Sequence, residues 1–459
     1  MEGRGAPEHG TADGKDGGTL GPENISTKQQ RVAQLARQIP RMVLTTLSHH
    51  IDMEWMKEAF QRTRKDAATG VDGQTAQEFE QDLEGNLSRL LELAKSGEYR
   101  APPVRRVNIP KGDGTATRPI GIPTFGDKVL QRAVVMLLEP VYEQDFRDCS
   151  YGFRPGRSAH GALESFWSQM MSMNGGWVVE VDVEKFFDML DHKHLQEFVR
   201  QRVNDGVVKR LIGKWLNAGV QEEGGFHRPT TGTPQGGVIS PLLANIYLHE
   251  VLDVWFEDEV KLRLRGKSFL VRYADDFVMG FSEEADAKRV LEVLSKRFGK
   301  YGLTVHPTKT RLVDFRRPRP QGPGPGYRPG NFDLLGFTHY WSLSRKGNWV
   351  IKRKTAKGRF KRALKAMATW CRRAMHLPMT TQHRTLSQKL KGHNGYYGIT
   401  GNAEALDRFR SAVRRAWQRA LGRRSQKGMN WERFKELEKR FKLPPAIAIH
   451  SELRRTARP

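Results

Sequence analysis

The chain has little cysteine: only Cys149 and Cys371 occur in 459 residues. Two cysteines cannot form a disulfide framework or a cysteine-based zinc site. The sequence also lacks any run of 18 apolar residues, so we expect no membrane-spanning helix. Residues 1–27 are rich in glycine and contain no apolar core of the kind that a signal peptide needs. We therefore expect a disordered tail and a cytoplasmic protein.

The C-terminal quarter is short of acidic residues. Residues 341–459 contain 31 Lys and Arg but 6 Asp and Glu, a net charge of +25, whereas residues 1–340 contain 46 and 45. Such asymmetry indicates a polyanionic partner that is bound mainly by the C-terminal quarter. A role in solubility is the alternative. Membrane binding fits less well, because the segment is not one long amphipathic helix with a wide apolar face.

Two stretches of this quarter have the periodicity of amphipathic helices. In residues 357–376 and 405–424, apolar side chains recur on one face and basic side chains occupy the others. We expect the arginines of these helices to contact the polyanion. The candidates are Arg359, Arg362, Arg372, Arg373, Arg410, Arg414 and Arg415.

Two adjacent aspartates, Asp275 and Asp276, interrupt the apolar stretch "LVRYADDFVMGF". The pattern predicts a hairpin over residues 268–281 with both aspartates at its turn, where aspartate pairs are common. A second strand-like stretch, residues 176–187, presents Asp182 in a similar apolar setting. Two buried strands that each present an aspartate can converge on divalent cations such as Mg²⁺, which take oxygen ligands. The sequence thus predicts a metal site for phosphoryl transfer.

The remaining segments predict a mixed fold. Residues 104–124 read as a hairpin, residues 127–145 and 284–300 as helices, and residues 233–256 as a glycine loop that leads into a helix. Residues 316–331 are too rich in proline and glycine for regular structure. We expect the apolar stretch "FDLLGFTHYW" after them to return to the same sheet, and the chain beyond about residue 345 to be helical.

Eight blocks of the sequence resemble, in the same order, the motifs of bacterial group II intron-encoded reverse transcriptases and maturases. They are "GVDGQT", "IPKGDGTATRPIGIPT", "SYGFRPGRSAHGAL", "VDVEKFFDMLDH", "GTPQGGVISPLLANIYLHEV", "RYADDF", "TVHPTKT" and "FDLLGFTHYW". A later block, "KLKGHNGYYGITGN", resembles the maturase thumb region. So many motifs in one order make the resemblance specific.

The resemblance implies an α+β fold, a right-hand polymerase with fingers, palm and thumb, whose palm is an antiparallel sheet backed by helices. The expected division is a tail (1–27), an N-terminal extension and fingers (28–126), a fingers and palm core (127–343), and a basic helical thumb or maturase domain (344–459). Many relatives end in an endonuclease with Cys and His ligands. Neither cysteine lies near the end of this chain, so we expect no endonuclease.

The resemblance also implies the roles of the aspartates. Asp182 and Asp275 would hold two Mg²⁺ ions, which activate the primer 3′-hydroxyl and stabilise the leaving pyrophosphate. Asp276 would complete or tune this site.

Five further residues would bind the nucleotide. Lys111 and Arg118 would grip the triphosphate, with an exposed hairpin charge as the alternative for both. Lys309 would lie near the phosphates, and Gln235 beside the incoming nucleotide. Phe187 would exclude a 2′-hydroxyl, unless it is only a core phenylalanine.

The segment 151–158 would touch the template or primer backbone through Arg154 and Arg157, although Arg154 could equally tie the fingers to the palm. The implied partners are intron RNA, an RNA template with a DNA primer, target DNA and dNTPs. Two alternatives stay open: a reverse transcriptase recruited to phage defence or CRISPR spacer acquisition, and a non-catalytic RNA-binding splicing cofactor. The intact aspartate set disfavours the latter, and the maturase-like thumb disfavours the former.

Overall fold

The computed structural model describes residues 25–110, 117–222, 225–227, 231–233, 235–318, 329–424 and 428–450. Lys111 and most of the expected N-terminal tail lie outside these residues. The fold is a mixed α and β structure with an antiparallel sheet at its centre, which confirms the predicted fold class. None of the helices in the described ranges has the length and apolar character needed to cross a membrane.

The regular elements follow one another along the chain. The strands are β1 Val104–Pro110, β2 Thr117–Ile122, β3 Gly175–Val181, β4 Val220–Glu222, β5 Gly225–His227, β6 Ser268–Tyr273, β7 Asp276–Phe281, β8 Arg311–Arg316, β9 Phe332–Leu334, β10 Phe337–Leu343 and β11 Trp349–Thr355. The helices are α1 Ile25–Gln38, α2 Met53–Gln61, α3 Ala76–Gln81, α4 Leu83–Ser96, α5 Phe125–Tyr142, α6 Ala159–Ser172, α7 Phe186–Met189, α8 His192–Arg202, α9 Gly206–Leu216, α10 Ser240–Leu248, α11 Glu284–Lys300, α12 Lys357–Arg373, α13 Met379–Tyr397, α14 Ala403–Gly422 and α15 Trp431–Arg440. Single 3₁₀ turns occur at Ser48–His50 and Lys261–Arg263, and α10 continues as π-helical turns over His249–Asp253 and Trp255–Val260.

The N-terminal helices begin where their sequences provide caps. Asp52 accepts a hydrogen bond from the Trp55 amide at the start of α2, and Thr75 forms a capping box with Glu78 at the start of α3. Gly97 ends α4 in the left-handed conformation. α1 and α2 pack on α5, which is buried along most of its length. α5 is therefore the central helix of this region.

The predicted hairpin at residues 104–124 is confirmed: β1 and β2 pair antiparallel, with Ile109 opposite Arg118. β4 pairs parallel with the other edge of β1, and β5 completes a four-stranded sheet. This sheet carries Arg118 and connects to α5 through Thr124, whose side chain caps that helix.

The central palm sheet has the strand order β6-β7-β3-β8, and each pair of neighbouring strands is antiparallel. Both of its faces are buried. Val178 packs on one side with α6, whereas the next residue, Val179, packs on the other with α10 and α11. Successive side chains of a strand point to opposite faces, so burial of both faces explains the continuous apolar runs of β3, β6 and β7.

The expectation that residues 332–341 return to this sheet is wrong. β9, β10 and β11 form a separate three-stranded sheet in the order β11-β10-β9. Phe332 and Phe337 lie in the cluster that covers one face of the palm sheet, and the Trp341 indole donates a hydrogen bond to the Phe315 carbonyl. These aromatic side chains bury their large apolar area against that face of the sheet.

The expectation of helices alone beyond residue 345 is also wrong, because β11 pairs with β10 along its whole length. The two predicted amphipathic helices are present as α12 and α14. They pack with α13 and α15 around a third cluster that includes Cys371, Phe409 and Trp417. Most of the basic residues of α12 and α14 are exposed on the outside of this cluster.

Candidate active site

The two aspartate strands meet at one end of the palm sheet. Tyr273 pairs with Asp276, so Ala274 and Asp275 form the two-residue turn between β6 and β7. β3 runs antiparallel to β7 with Val181 opposite Phe277. Asp182 follows Val181 and Asp276 precedes Phe277, so both carboxylates lie at the same end of neighbouring strands.

A buried arginine holds this hairpin. Arg272 is fully buried, and its guanidinium donates from Nε to Asp253 Oδ1 (2.7 Å) and from Nη2 to Ser150 Oγ (2.8 Å). Its Nη1 donates to Asn245 Oδ1 (2.9 Å) and to the carbonyl of Ala274 (3.2 Å), within the turn itself. The backbone beside the aspartates is therefore tied to the helix that follows the glycine loop.

Sequence reasoning missed this network. Asp253 is fully buried in the π-helical continuation of α10, a type of distortion that is frequent at functional sites. An arginine in the middle of an apolar strand was a usable signal, because a buried charge needs a partner. The identity of that partner was not readable from the local sequence.

The three carboxylates interact electrostatically. Burial raises the pKa of Asp275, and the charge of Asp182 raises it further, while Arg118 and Arg272 oppose the shift. Desolvation by the surrounding protein, followed by the charges of Asp275 and Asp182, raises the pKa of Asp276 to about 6, although the residue itself is exposed. The cluster accumulates negative charge that a cation would relieve.

A cavity of about 330 Å³ opens beside these residues. Its lining includes Asp182, Asp276, Lys309, Arg359 and Arg362. Lys309 Nζ lies 2.9 Å from Asp182 Oδ2. In the part of the chain that the structure describes, no three His, Cys, Asp or Glu side chains form a ready-made metal ligand set. A cation held by these aspartates would therefore also need oxygen ligands from phosphates or water, as Mg²⁺ accepts.

The glycine loop brings Phe187 and Gln235 to the same region. The Thr233 amide donates to the Phe187 carbonyl (2.8 Å), and the Gly121 amide of β2 donates to the Gln235 carbonyl (2.6 Å). Gly236 has φ +118°, and a Cβ there would lie 2.6 Å from the Gly121 carbonyl oxygen. Only glycine allows this close approach of the loop to β2.

A second buried network positions the loop from α5. Gln131 Oε1 accepts a hydrogen bond from the Val238 amide (2.8 Å), and Gln131 Nε2 donates to Asp127 Oδ2 (3.2 Å). Asp127 also accepts from the Trp215 indole (2.7 Å) and from the Tyr99 hydroxyl. Burial raises the pKa of Asp127 to about 6, against the effect of these donors. No local sequence pattern indicated this network, because its members are far apart along the chain.

Comparison with known proteins agrees with this geometry. The sequence model of the reverse transcriptase (RNA-dependent DNA polymerase) family matches residues 109–339. Protein YkfC of Escherichia coli (strain K12) is 38% identical over 290 residues, which are 56% of this chain and 75% of YkfC. The chain belongs to the reverse transcriptase family.

Other relatives of this reverse transcriptase are an intron-encoded protein and an intron maturase. Group II intron-encoded protein LtrA of Lactococcus lactis subsp. cremoris is 42% identical over 208 residues, which are 45% of this chain and 33% of LtrA. Nuclear intron maturase 2, mitochondrial, of Arabidopsis thaliana is 29% identical over 187 residues, 32% of this chain and 25% of the maturase. The predicted resemblance to group II intron reverse transcriptases and maturases is confirmed. The chain spans three quarters of YkfC but only a third of LtrA.

The two arginines of segment 151–158 differ in accessibility. Arg154 is buried and donates to both Glu143 oxygens and to the carbonyls of Arg147 and Ser150. Its guanidinium is thus occupied within the reverse transcriptase, which favours the alternative that it ties elements together. Arg157 is partly exposed, pairs with Asp148 and lies over the Tyr151 ring.

The seven C-terminal arginines that were predicted to contact the polyanion fall into three groups. Arg359 and Arg362 border the cavity beside the carboxylates. Arg410 donates to the carbonyls of Pro444 and Leu443, and Arg414 donates from two nitrogens to the Glu438 carboxylate. Both arginines therefore help to pack α14 against the segments that follow it. The remaining three are exposed on α12 and α14: Arg372, Arg373 and Arg415.

Proposed function

We propose that this reverse transcriptase copies RNA into DNA by transferring nucleotides from dNTPs to the 3′-hydroxyl of a DNA primer. The observation that carries the proposal is the meeting of Asp182 with Asp275 and Asp276 at one end of the palm sheet. A cluster of interacting carboxylates repels a polyanion unless cations neutralise it, and polymerase chemistry requires those cations.

We propose that the divalent cations are two Mg²⁺ ions held by Asp182, Asp275 and Asp276. When bound, they would lower the barrier by stabilising the attacking and leaving oxygens. Lys309 would have a matching role, because its ammonium contacts Asp182. It can turn to nucleotide phosphates once that carboxylate is neutralised, since lysine acts as a mobile point charge.

Recognition of the nucleotide would come from three elements. Arg118 on β2 is exposed and close enough to lower the pKa of both hairpin aspartates, so it can reach a triphosphate bound there. The loop with Gln235 lies between β2 and the backbone of Phe187. Phe187 is partly buried, with its ring edge-on to Phe186 at 5.3 Å, and its remaining face would exclude a 2′-hydroxyl.

The cavity arginines support a change in the predicted role of two residues. Arg359 and Arg362 line the same cavity as Asp182 and Asp276, and the charge of Arg359 lowers the pKa of Asp276. We propose that they bind the phosphates of the primer end, while the exposed Arg372, Arg373 and Arg415 contact intron RNA. Binding of intron RNA would assist splicing and mobility, with target DNA as a further partner.

A non-catalytic splicing cofactor is the second candidate from another class. The three carboxylates disfavour it, because a protein that only binds RNA gains nothing from clustered negative charge facing the polyanion. A reverse transcriptase recruited to phage defence or spacer acquisition would share the same chemistry. The similarity to an intron-encoded protein and to an intron maturase favours the maturase role.

The test is primer extension on an RNA template in Mg²⁺, with wild type and Asp275→Asn. Loss of a carboxylate that stabilises the transition state by several kcal/mol lowers the rate by about 10³-fold or more. Asp407→Asn, which changes an exposed aspartate on α14, is the control and should extend primers like wild type. If Asp275→Asn retains activity within tenfold of wild type, the active-site assignment is wrong.

A further inference from the structure

Backbone strain is concentrated around the carboxylates. In the described part of the chain, six residues other than glycine have positive φ: Arg41, Phe153, Asn174, Lys185, Ala274 and Leu335. Four of the six border the site. Ala274 precedes Asp275, Lys185 follows Asp182 by three residues, Leu335 lines the cavity, and Phe153 lies beside the hairpin. Strained conformations persist where the surroundings enforce them, and they cluster at functional sites.

Phe153 is the most unusual of the four. Its φ is +57°, a conformation that is unfavourable for a bulky residue, and it is 56% exposed. Its ring lies 6.3 Å from the ring of Tyr273, centroid to centroid. Neither burial of the ring nor backbone preference accounts for a phenylalanine at this position.

The neighbours of Phe153 enforce its conformation. The Gly152 carbonyl accepts a hydrogen bond from Asn245 Nδ2 (2.7 Å), and the Tyr151 amide donates to the Arg272 carbonyl (2.8 Å). On the other side, the buried Arg154 is held by Glu143. A Cβ on Gly152 would lie 2.3 Å from the Ala274 nitrogen, so the segment lies directly against the catalytic turn.

We propose that the exposed face of Phe153, together with Tyr273, contacts the last base pairs of the template–primer duplex through its minor groove. The inference rests on the proposed polymerase function, because a primer end at Asp275 brings the duplex to Tyr273, two residues away. The wide, shallow minor groove of an A-form duplex exposes sugars and base edges to such a ring. Arg118, Arg359 and Arg362 around the site favour a polyanionic occupant over a neutral protein surface.

The test is the affinity for a short RNA–DNA template–primer, measured by fluorescence anisotropy without divalent metal, so that chemistry is not involved. Phe153→Ala and Phe153→Gly should each weaken binding by about tenfold, as loss of an aromatic contact to a base does. The slope of log K against log salt should not change, because no charge is removed. Phe153→Tyr should bind like wild type.

The glycine variant separates contact from folding. Glycine adopts positive φ without strain, so Phe153→Gly should melt at a higher temperature than Phe153→Ala while it binds the duplex as poorly. Leu262→Ala, at a residue 82% exposed in the turn Lys261–Arg263, is the control and should change neither quantity. If Phe153→Gly and Phe153→Ala bind the duplex like wild type, the ring is not a duplex contact, and the proposal is overturned. A wild-type protein that binds the duplex but cannot extend it would contradict the polymerase function instead.

Discussion

The palm and the C-terminal helices use arginine in opposite ways. In the palm, Arg272 is fully buried, and its guanidinium donates to a carboxylate, an amide, a hydroxyl and the Ala274 carbonyl in the β6–β7 turn. On α12 and α14, most arginine side chains are exposed. A buried arginine fixes backbone geometry, whereas an exposed one is free to replace the counterions of a nucleic acid.

The charge balance of the two regions explains this difference. Residues 1–340 contain 46 basic and 45 acidic residues, so a buried arginine there can find a carboxylate partner. Residues 341–459 contain 31 and 6, so most basic residues have no acidic partner within the region. The excess suits a region that receives its negative charge from bound RNA.

Removal of the palm arginine should produce the largest effect on stability. Arg272→Met leaves Asp253 buried without its counterion, which should lower the free energy of unfolding by about 3–5 kcal/mol. The measurement is urea-induced unfolding. The slope of the free energy of unfolding against urea concentration should be the same as in wild type.

The matched control for Arg272→Met is the double variant Arg272→Met/Asp253→Leu. It should recover much of the stability, because no charge is left unpaired. Primer extension should stay low in the double variant, because the Ala274 carbonyl has lost its donor. If Arg272→Met unfolds like wild type, the buried palm arginine does not stabilise the fold, and the contrast with the exposed C-terminal arginines fails.

The next effect concerns the network that holds the glycine loop. The pKa of Asp127 is raised from its ordinary value near 3.8 to about 6, so the folded protein keeps this proton at a pH where the unfolded chain has lost it. The stabilisation of the folded protein by this proton is fully present below about pH 4 and is lost as the pH rises through about 6. It amounts to at most about 3 kcal/mol.

The measurement for Asp127 is the free energy of unfolding of wild type and Asp127→Asn at several pH values. An asparagine does not ionise, so wild type should lose stability relative to the variant between pH 4 and pH 7. A difference between the two proteins that stays constant with pH would show that Asp127 does not titrate in this range.

Local patterns predicted the elements well. The hairpin over residues 268–281 and the helix over 284–300 are present as expected, because apolar spacing and turn residues specify them. The proximity of Asp182 to Asp275 could be expected from two similar strands. The separate sheet of β9–β11 could not, since a short aromatic strand does not reveal whether it pairs at an edge or packs on a face.

For a related reason, the sequence could not predict which arginines are paired within the protein and which remain exposed. Arg154 was a candidate for nucleic-acid contact, yet Glu143 and two carbonyls occupy it. Arg414 and Arg415 are adjacent in sequence, but only Arg414 points to Glu438 of α15. Partners that come from distant segments decide which charges stay available, and the sequence does not specify those contacts directly.

The exposed arginines of the C-terminal helices should control salt dependence. Changing Arg372, Arg373 and Arg415 to glutamine should flatten the slope of log K against log salt for intron RNA by about two units, at about 0.7–0.9 per phosphate contact. A control triple variant removes the same charge from exposed residues of α4, α8 and α11: Arg89→Gln, Arg200→Gln and Lys296→Gln. If the control flattens the slope and the first variant does not, the RNA is bound outside the C-terminal helices.

The smallest expected effect compares the two neighbours on α14. Arg414→Gln removes a partly exposed ion pair with Glu438, so it should lower the free energy of unfolding by about 1 kcal/mol or less. RNA affinity should hardly change, because this guanidinium is already engaged. Arg415→Gln should do the reverse: stability stays the same, RNA binding weakens, and the salt slope flattens by just under one unit. Equal losses of RNA affinity in the two variants would show that Arg414 contacts RNA despite its ion pair with Glu438. The distinction between occupied and available arginines would then fail within the C-terminal region itself.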